Sequence, residues 1–202
     1  MDTLYISPGS VAVAVALTAA EMGIDLAYAR LNFTQGEQQG PEYLGVNPKG
    51  RVPALVTEQG VLTETGAILE YLASQSPGYV PDDPFEAARM RSIMYYLAST
   101  VHVNHAHNFR GHRWADDPGA RADMKAKVPE TMTACAAYLE DIFQGPFLLG
   151  DRMTLADPYF FTMLRWFEGD GVVLANFPRL SAFYLMYDAR PSVQGLKDLG
   201  LM

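Results

Sequence analysis

Every strand signal in this chain falls within its first 62 residues, and everything after residue 84 reads as helix. Residues 3–7 are a run of strand formers stopped by Pro8-Gly9 as a turn. Residues 11–22 are alanine-rich and nearly uncharged, the pattern of a buried helix, with Gly23 placed to close it and Ser10 placed to cap it. Residues 25–31 return as a second strand. A strand, a helix and a strand at this length form a βαβ unit, whose crossover is almost always right-handed. A polar loop (32–41) and a short helical turn near 42–44 follow. Residues 52–57 and 61–62 then read as an antiparallel hairpin across Glu58-Gln59-Gly60. In 63–74, Ala67, Ile68, Tyr71 and Leu72 recur at the spacing of one helix face.

That order, β-α-β then β-β-α within residues 1–76, is thioredoxin-like. The stretch 77–84 carries Pro77, Gly78, Pro81 and Pro84 beside Asp82 and Asp83, and reads as a linker. Residues 85–202 read as an all-helical C-terminal domain, with helices near 85–113, 118–143, 154–167 and 178–189. Thr154-Leu155-Ala156-Asp157 has the capping-box spacing, its acid able to reach back to the cap amide.

Charge narrows the function classes. Residues 1–83 hold three basic side chains against ten acidic ones, so nearly all of the net −8 sits in the first domain. Such a surface repels phosphate backbones and anionic lipid, which argues against nucleic-acid and membrane partners. No apolar run approaches the roughly 18 residues that would span a bilayer, and the first residues read as a strand rather than a leader. One cysteine, Cys135, leaves no internal disulfide framework and fits a reducing cytoplasm.

Asn47-Pro48-Lys49-Gly50-Arg51-Val52-Pro53-Ala54-Leu55, then Leu62-Thr63-Glu64-Thr65, Ala67-Ile68 and Tyr71-Leu72, resemble the glutathione-binding core of cytosolic glutathione transferases. Pro8-Gly9-Ser10 resembles the beta-class bacterial members. Leu148-Leu149-Gly150-Asp151, Thr154–Asp157 and Arg190-Pro191 resemble the family's helical domain. The resemblance implies glutathione as co-substrate with no metal, conjugation to hydrophobic electrophiles or glutathione-dependent reduction of peroxides and disulfides, and a role in detoxification. It also implies a cytoplasmic homodimer and a hydrophobic substrate pocket; a non-catalytic binder on the same fold is the alternative. On this chain it implies a cis peptide at Val52-Pro53, a backbone at Arg51, Val52 and Pro53 that pairs with glutathione like an added strand, Glu64 for the ammonium group, and Thr65 with the next helix's first amides for the carboxylate.

The sulfur end departs from the beta class. Val11 stands where that class has its cysteine, and its tyrosine position falls near Ile6. The nearest hydroxyls are Ser10, Ser7 and Tyr5. Ser10 is the leading one, as a donor to the thiolate or simply as a helix cap, and the amides of Val11 and Ala12 are a further source of donors. Tyr5 is expected to be buried. All four histidines lie between residues 102 and 112. His102 and His105 share a helix face while His107 does not, and two histidines fall short of a metal set. The resemblance puts His102 opposite the sulfur, where an imidazole can donate to the thiolate or relay a proton. Tyr95, Tyr96, Phe109, Trp114, Trp166 and Phe167 are candidates for core or for the substrate wall.

Overall fold

The computed structural model describes residues 1–202. The chain forms two compact units: Met1–Val80 together with Asp188–Met202, and Pro81–Tyr187.

The first unit is built on a four-stranded sheet. Its elements are β1 (Thr3–Ile6), α1 (Val13–Met22), β2 (Ala27–Arg30), α2 (Pro41–Val46), β3 (Ala54–Thr57), β4 (Gly60–Thr63) and α3 (Thr65–Ala73). The strand order is β2-β1-β3-β4, with β1 and β2 parallel and both other pairs antiparallel. Leu4 and Ile6 alternate inward from the interior strand β1 and are fully buried, as are Ala54 and Leu55 opposite them. They meet Leu17, Ile68, Leu69 and Leu72 of the helices, also fully buried, each contributing about 1.5–3 kcal/mol through burial. Gly23 closes α1 in a left-handed turn as its position predicts, with Ile24 N–H reaching back to the Ala19 carbonyl at 2.9 Å.

Two features differ from the sequence reading. α1 starts at Val13, not Val11, and its cap position is Ala12, which offers no side chain to the helix. The chain enters it through a tighter turn in which Val13, Ala14 and Val15 donate to the carbonyls of Ser10, Val11 and Ala12 at 3.0–3.1 Å. The second is a helix α9 (Pro191–Asp198) that packs on α1 and joins the N-terminal unit. Burial of Val193, Leu196 and Leu201 accounts for this, together with a two-pronged ion pair from Arg190 to Glu21, both bonds 2.7 Å. With α9 on it, α1 is buried over the whole of Val13–Ala19, which explains why its sequence is apolar on every side.

The second unit is helical throughout: α4 (Pro84–Tyr96), α5 (His102–Arg110), α6 (Pro118–Ile142), α7 (Ala156–Leu164) and α8 (Pro178–Asp188). Asp83 and Asp117 cap α4 and α6 by accepting first-turn amides, each followed by proline at the first helical position. The long helix read over 85–113 is one run of α4 and α5, but residues Leu97–Val101 between them are π-helical, one residue wider per turn. Phe160, Phe161, Phe167, Phe183 and Tyr187 form the aromatic centre of the core, with Phe161 stacked on Tyr187 at 4.7 Å and Phe160 on Phe183 at 5.3 Å. Asp157, fully buried, accepts the amides of Thr154 (2.7 Å) and Leu148 (2.8 Å) and the Thr154 hydroxyl (3.0 Å), so the acidic half of the capping box forms as its spacing predicts. No helix is long and apolar enough to cross a membrane.

Candidate functional site

Register across the sheet gathers the expected residues. Tyr5, Ala54 and Thr63 pair in one row. The segments just beyond that row are the Pro8–Ala12 turn after β1, Val52-Pro53 before β3 and Glu64-Thr65 after β4. All three therefore stand at the same end of the sheet.

The middle segment is backbone. Val52-Pro53 is a cis peptide, as the resemblance implies. The N–H and C=O of Val52 make no hydrogen bond within the chain, which leaves a donor and an acceptor for an extended ligand. The preceding peptide is held firmly: the Arg51 carbonyl accepts both the Tyr43 hydroxyl and the Asn47 side-chain amide at 2.6 Å. Tyr43 and Asn47 are buried. Burial pushes the Tyr43 hydroxyl above its usual value, against the Asn47 hydrogen bond, so it stays a protonated donor. Gly50 turns the chain with φ 60°, and a Cβ there would sit 2.5 Å from the Gln39 side chain and 2.9 Å from the Gln38 carbonyl. Only glycine satisfies both the angle and the space. The Arg51 side chain itself is exposed.

At the second segment Glu64 has φ 71° and ψ 119°, the one non-glycine residue of the chain with positive φ. Such backbone costs about 1–3 kcal/mol and is typical of ligand clamps. Glu64 occupies the cap position of α3, yet its carboxylate gives α3 no capping hydrogen bond. It turns instead to the ammonium of Lys49, which also donates to the Thr63 hydroxyl at 2.8 Å. The amides of Thr65, Gly66 and Ala67 consequently have no acceptor in the chain, and the helix dipole adds positive potential where they point. Thr65 is buried at their base. A carboxylate already holding an ammonium stands beside amides that want an anion, which suits the α-amino and α-carboxylate groups of an amino acid.

The third segment is the turn before α1. The Ser10 hydroxyl donates to the Ser7 carbonyl at 2.6 Å; it is not the cap of α1. The amides of Val11 and Ala12 have no acceptor within the chain. Tyr5 is only partly buried, packed against Tyr43 at 5.2 Å, rather than sunk in the core.

A separate cluster forms in the second unit. Trp166 lies against both His105, stacked at 4.2 Å, and His102, tilted at 5.4 Å. The carboxylate of Asp170, almost wholly buried, pairs with His105 Nδ1 at 2.7 Å and accepts the Asn108 side-chain amide at 2.9 Å. His107 packs edge-on to Trp114 at 4.6 Å, away from that pair. No three His, Cys, Asp or Glu side chains converge on a metal position.

Comparison with known proteins matches this arrangement from end to end. Residues 2–74 match the family "Glutathione S-transferase, N-terminal domain", and residues 105–195 match "Glutathione S-transferase, C-terminal domain". The chain belongs to the glutathione S-transferase family. It is 30% identical over 197 residues to glutathione S-transferase GstA of Escherichia coli O157:H7, covering 95% of this chain and 94% of that one. It is 32% identical over 198 residues to maleylacetoacetate isomerase of Pseudomonas aeruginosa, covering 94% and 91%. Among solved structures, a glutathione transferase homolog from Sulfitobacter with bound glutathione superposes with a TM-score of 0.98 at 50% identity, over 100% of this chain and 99% of that one. These relatives are enzymes by name, and this family member is a glutathione transferase-like enzyme.

Within this glutathione S-transferase, Ser10, Arg51, Val52, Pro53, Glu64 and Thr65 belong to the first unit and His102 to the second. Sequence reasoning missed Lys49 as the partner of Glu64, and Tyr43 and Asn47 as the supports of the Arg51 carbonyl. The signal for the last two was weak: a lone Tyr and a lone Asn in a loop carry no period. It also missed Asp170, distant in sequence from the histidine it pairs. Of the aromatic candidates, Phe167 is core, Tyr95, Phe109 and Trp114 are exposed, and Trp166 joins the two histidines.

Proposed function

We propose that this family member binds glutathione at the gathered end of its sheet and adds the glutathione sulfur to hydrophobic electrophiles. The observation that carries this is the convergence, in one unit, of an unpaired extended backbone at Val52-Pro53, an ammonium-holding carboxylate at Glu64, and unpaired helix amides at Thr65–Ala67. Arg51 borders the same strand-like backbone. These groups match the peptide, the α-ammonium and the α-carboxylate of a γ-glutamyl peptide, and a solved relative carries bound glutathione. Sulfur then falls to the turn before α1, where the Val11 and Ala12 amides and the Ser10 hydroxyl favour the thiolate over the thiol. Ser10 must leave the Ser7 carbonyl to donate, so the amides supply the larger share. His102 is assigned the second sulfur-directed role, donating to the thiolate or relaying its proton.

Conjugation is favoured over disulfide reduction because a protein-based mixed disulfide needs a cysteine at the α1 turn. The chain's single cysteine is Cys135, buried in the second unit. The enzyme is read as a cytoplasmic homodimer, consistent with apolar side chains left exposed on α4, Phe85 at 71% and Tyr95 at 65%.

Calorimetric titration with glutathione, paired with conjugation of a chlorodinitrobenzene-type electrophile and with hydroperoxide reduction, tests the reading. Glu64→Ala is expected to weaken glutathione binding about tenfold or more, the cost of one charge-assisted contact. His102→Ala is expected to lower turnover by more than it weakens binding, and His107→Ala to do little. Equal affinity of wild type and Glu64→Ala overturns the binding assignment, and equal, small effects of the two histidine variants return His102 to a packing role.

A further inference from the structure

We propose that the C-terminal segment, residues 191–202, is a positioning element for the sulfur end of the site, acting through a hydrogen bond to the backbone of Gly9. The proposal rests on the assignment of the α1 turn to sulfur. The Gly9 N–H donates to the carbonyl of Leu201 at 3.0 Å. Gly9 has φ 71°, so its N–H direction is set by a conformation that only glycine adopts at ease, and it opens the turn that carries Ser10, Val11 and Ala12. Leu201 is fully buried, and its own N–H donates to the Leu196 carbonyl at 3.0 Å. The carbonyl offered to Gly9 is therefore fixed on both sides. Arg30, at the end of β2, donates to the carbonyl of Leu199 and holds the same stretch from the sheet.

At the other end of α1 the segment is clasped again. Arg190 forks onto Glu21, Ser192 donates to the same carboxylate, and Tyr79 donates to the Glu21 carbonyl at 2.6 Å. Burial pushes the Glu21 carboxyl up, but the hydrogen bonds from Arg190 and Ser192 and the Arg190 charge outweigh it and leave it below its ordinary value. With α9 packed on α1 between the two clasps, the segment spans the length of the helix, roughly 15 Å for its ten residues. The helix cannot slide or tilt against β1 without breaking one end. A thiolate held by backbone amides needs them placed within about 0.5 Å, and no side chain at Ala12 caps this helix to do so. Leu201 and its neighbours hold that place from outside the turn.

Three variants test this by the ultraviolet absorbance of the bound thiolate against pH, with conjugation kinetics and calorimetric binding of S-methylglutathione, which has no titrating thiol. In a chain ending at Gly200 the thiolate is expected to form about one pH unit higher, a tenfold loss of thiolate near its midpoint, and kcat to fall roughly tenfold. S-methylglutathione affinity is expected to stay within about twofold, because Val52, Glu64 and Thr65 lie on other elements. Leu201→Ala keeps the acceptor but loosens its seat; it is expected to shift the titration in the same direction by less, and it carries the test if the shortened chain does not fold. Lys197→Ala, which loses only the partly exposed pair with Asp188, is expected to leave the titration unmoved. Unchanged titration in both Leu201 variants, with wild-type thiolate formed well below the pH of free glutathione, overturns this proposal alone. If bound glutathione titrates like the free thiol in the wild type, the turn does not act on sulfur and the functional reading falls with it.

Discussion

At Glu64 the backbone and the side chain work at cross purposes, and the conflict marks the site. Holding a glutamate at φ 71° is unfavourable by about 1–3 kcal/mol, while its exposed pair with Lys49 returns at most about 1 kcal/mol. What the arrangement secures is direction: the carboxylate is turned off α3, so the first amides of that helix stay open. Glu64→Gly and Glu64→Ala both remove the carboxylate, but only glycine relieves the backbone. At an ordinary helical position glycine is the less stable of the two by about 1 kcal/mol. Here Glu64→Gly is expected to be more stable than Glu64→Ala by roughly 1 kcal/mol in denaturant midpoints, with glutathione affinity lost in both. The reverse order would mean that the backbone is unstrained. The sequence pointed to Glu64 through its neighbours, but it carried no sign of the positive φ, since glutamate is not a residue that favours it.

Among the elements, α7 shows how local pattern and burial combine. The Thr154–Asp157 spacing announces a helix start, and the acid does reach back to the Thr154 amide. The same carboxylate also takes the Leu148 amide, so it ties the preceding loop to the helix as well as capping it. Burial pushes the Asp157 carboxyl up to about 6, with the hydrogen bonds from Leu148 and Thr154 pulling the other way. Its pKa in the fold thus stands above the usual 3.8, so its contribution to stability is whole below about pH 4 and is lost as pH rises through about 6. Thermal unfolding of the wild type is expected to show a stability loss on the order of 1–3 kcal/mol across that window, at about 1.4 kcal/mol per unit. Asp157→Asn is expected to remove this slope. It leaves one of two buried amides without an acceptor, a cost of roughly 1–3 kcal/mol at low pH. A slope that survives in Asp157→Asn would assign it to another group. α1 gives the opposite case: its length and its glycine stop were legible, whereas its true start was not, because the tight entry turn from Ser10 to Ala12 has no capping side chain to announce it.

For the whole molecule, the proposed homodimer makes a simple demand on solution mass. Light scattering at micromolar concentration is expected to give about twice the 22.3 kDa of one chain. A mass near 22.3 kDa would leave Phe85 and Tyr95 as exposed side chains with no partner copy. The sequence by itself determined the order of strands and helices, the boundary near residue 80 and the motif that seats Val52-Pro53 and Glu64-Thr65. Those properties are local: periodicity, turn chemistry and short-range spacing act within a few residues and leave a direct trace in the chain. Tertiary structure alone decided that 188–202 returns to the first unit, that Leu201 anchors Gly9, that Lys49 answers Glu64, and that Asp170 pairs with His105. Each of these joins residues 15 to 192 positions apart through one hydrogen bond or ion pair. A single polar contact imposes no period on the chain at either end, so only the packed fold can say which partners meet.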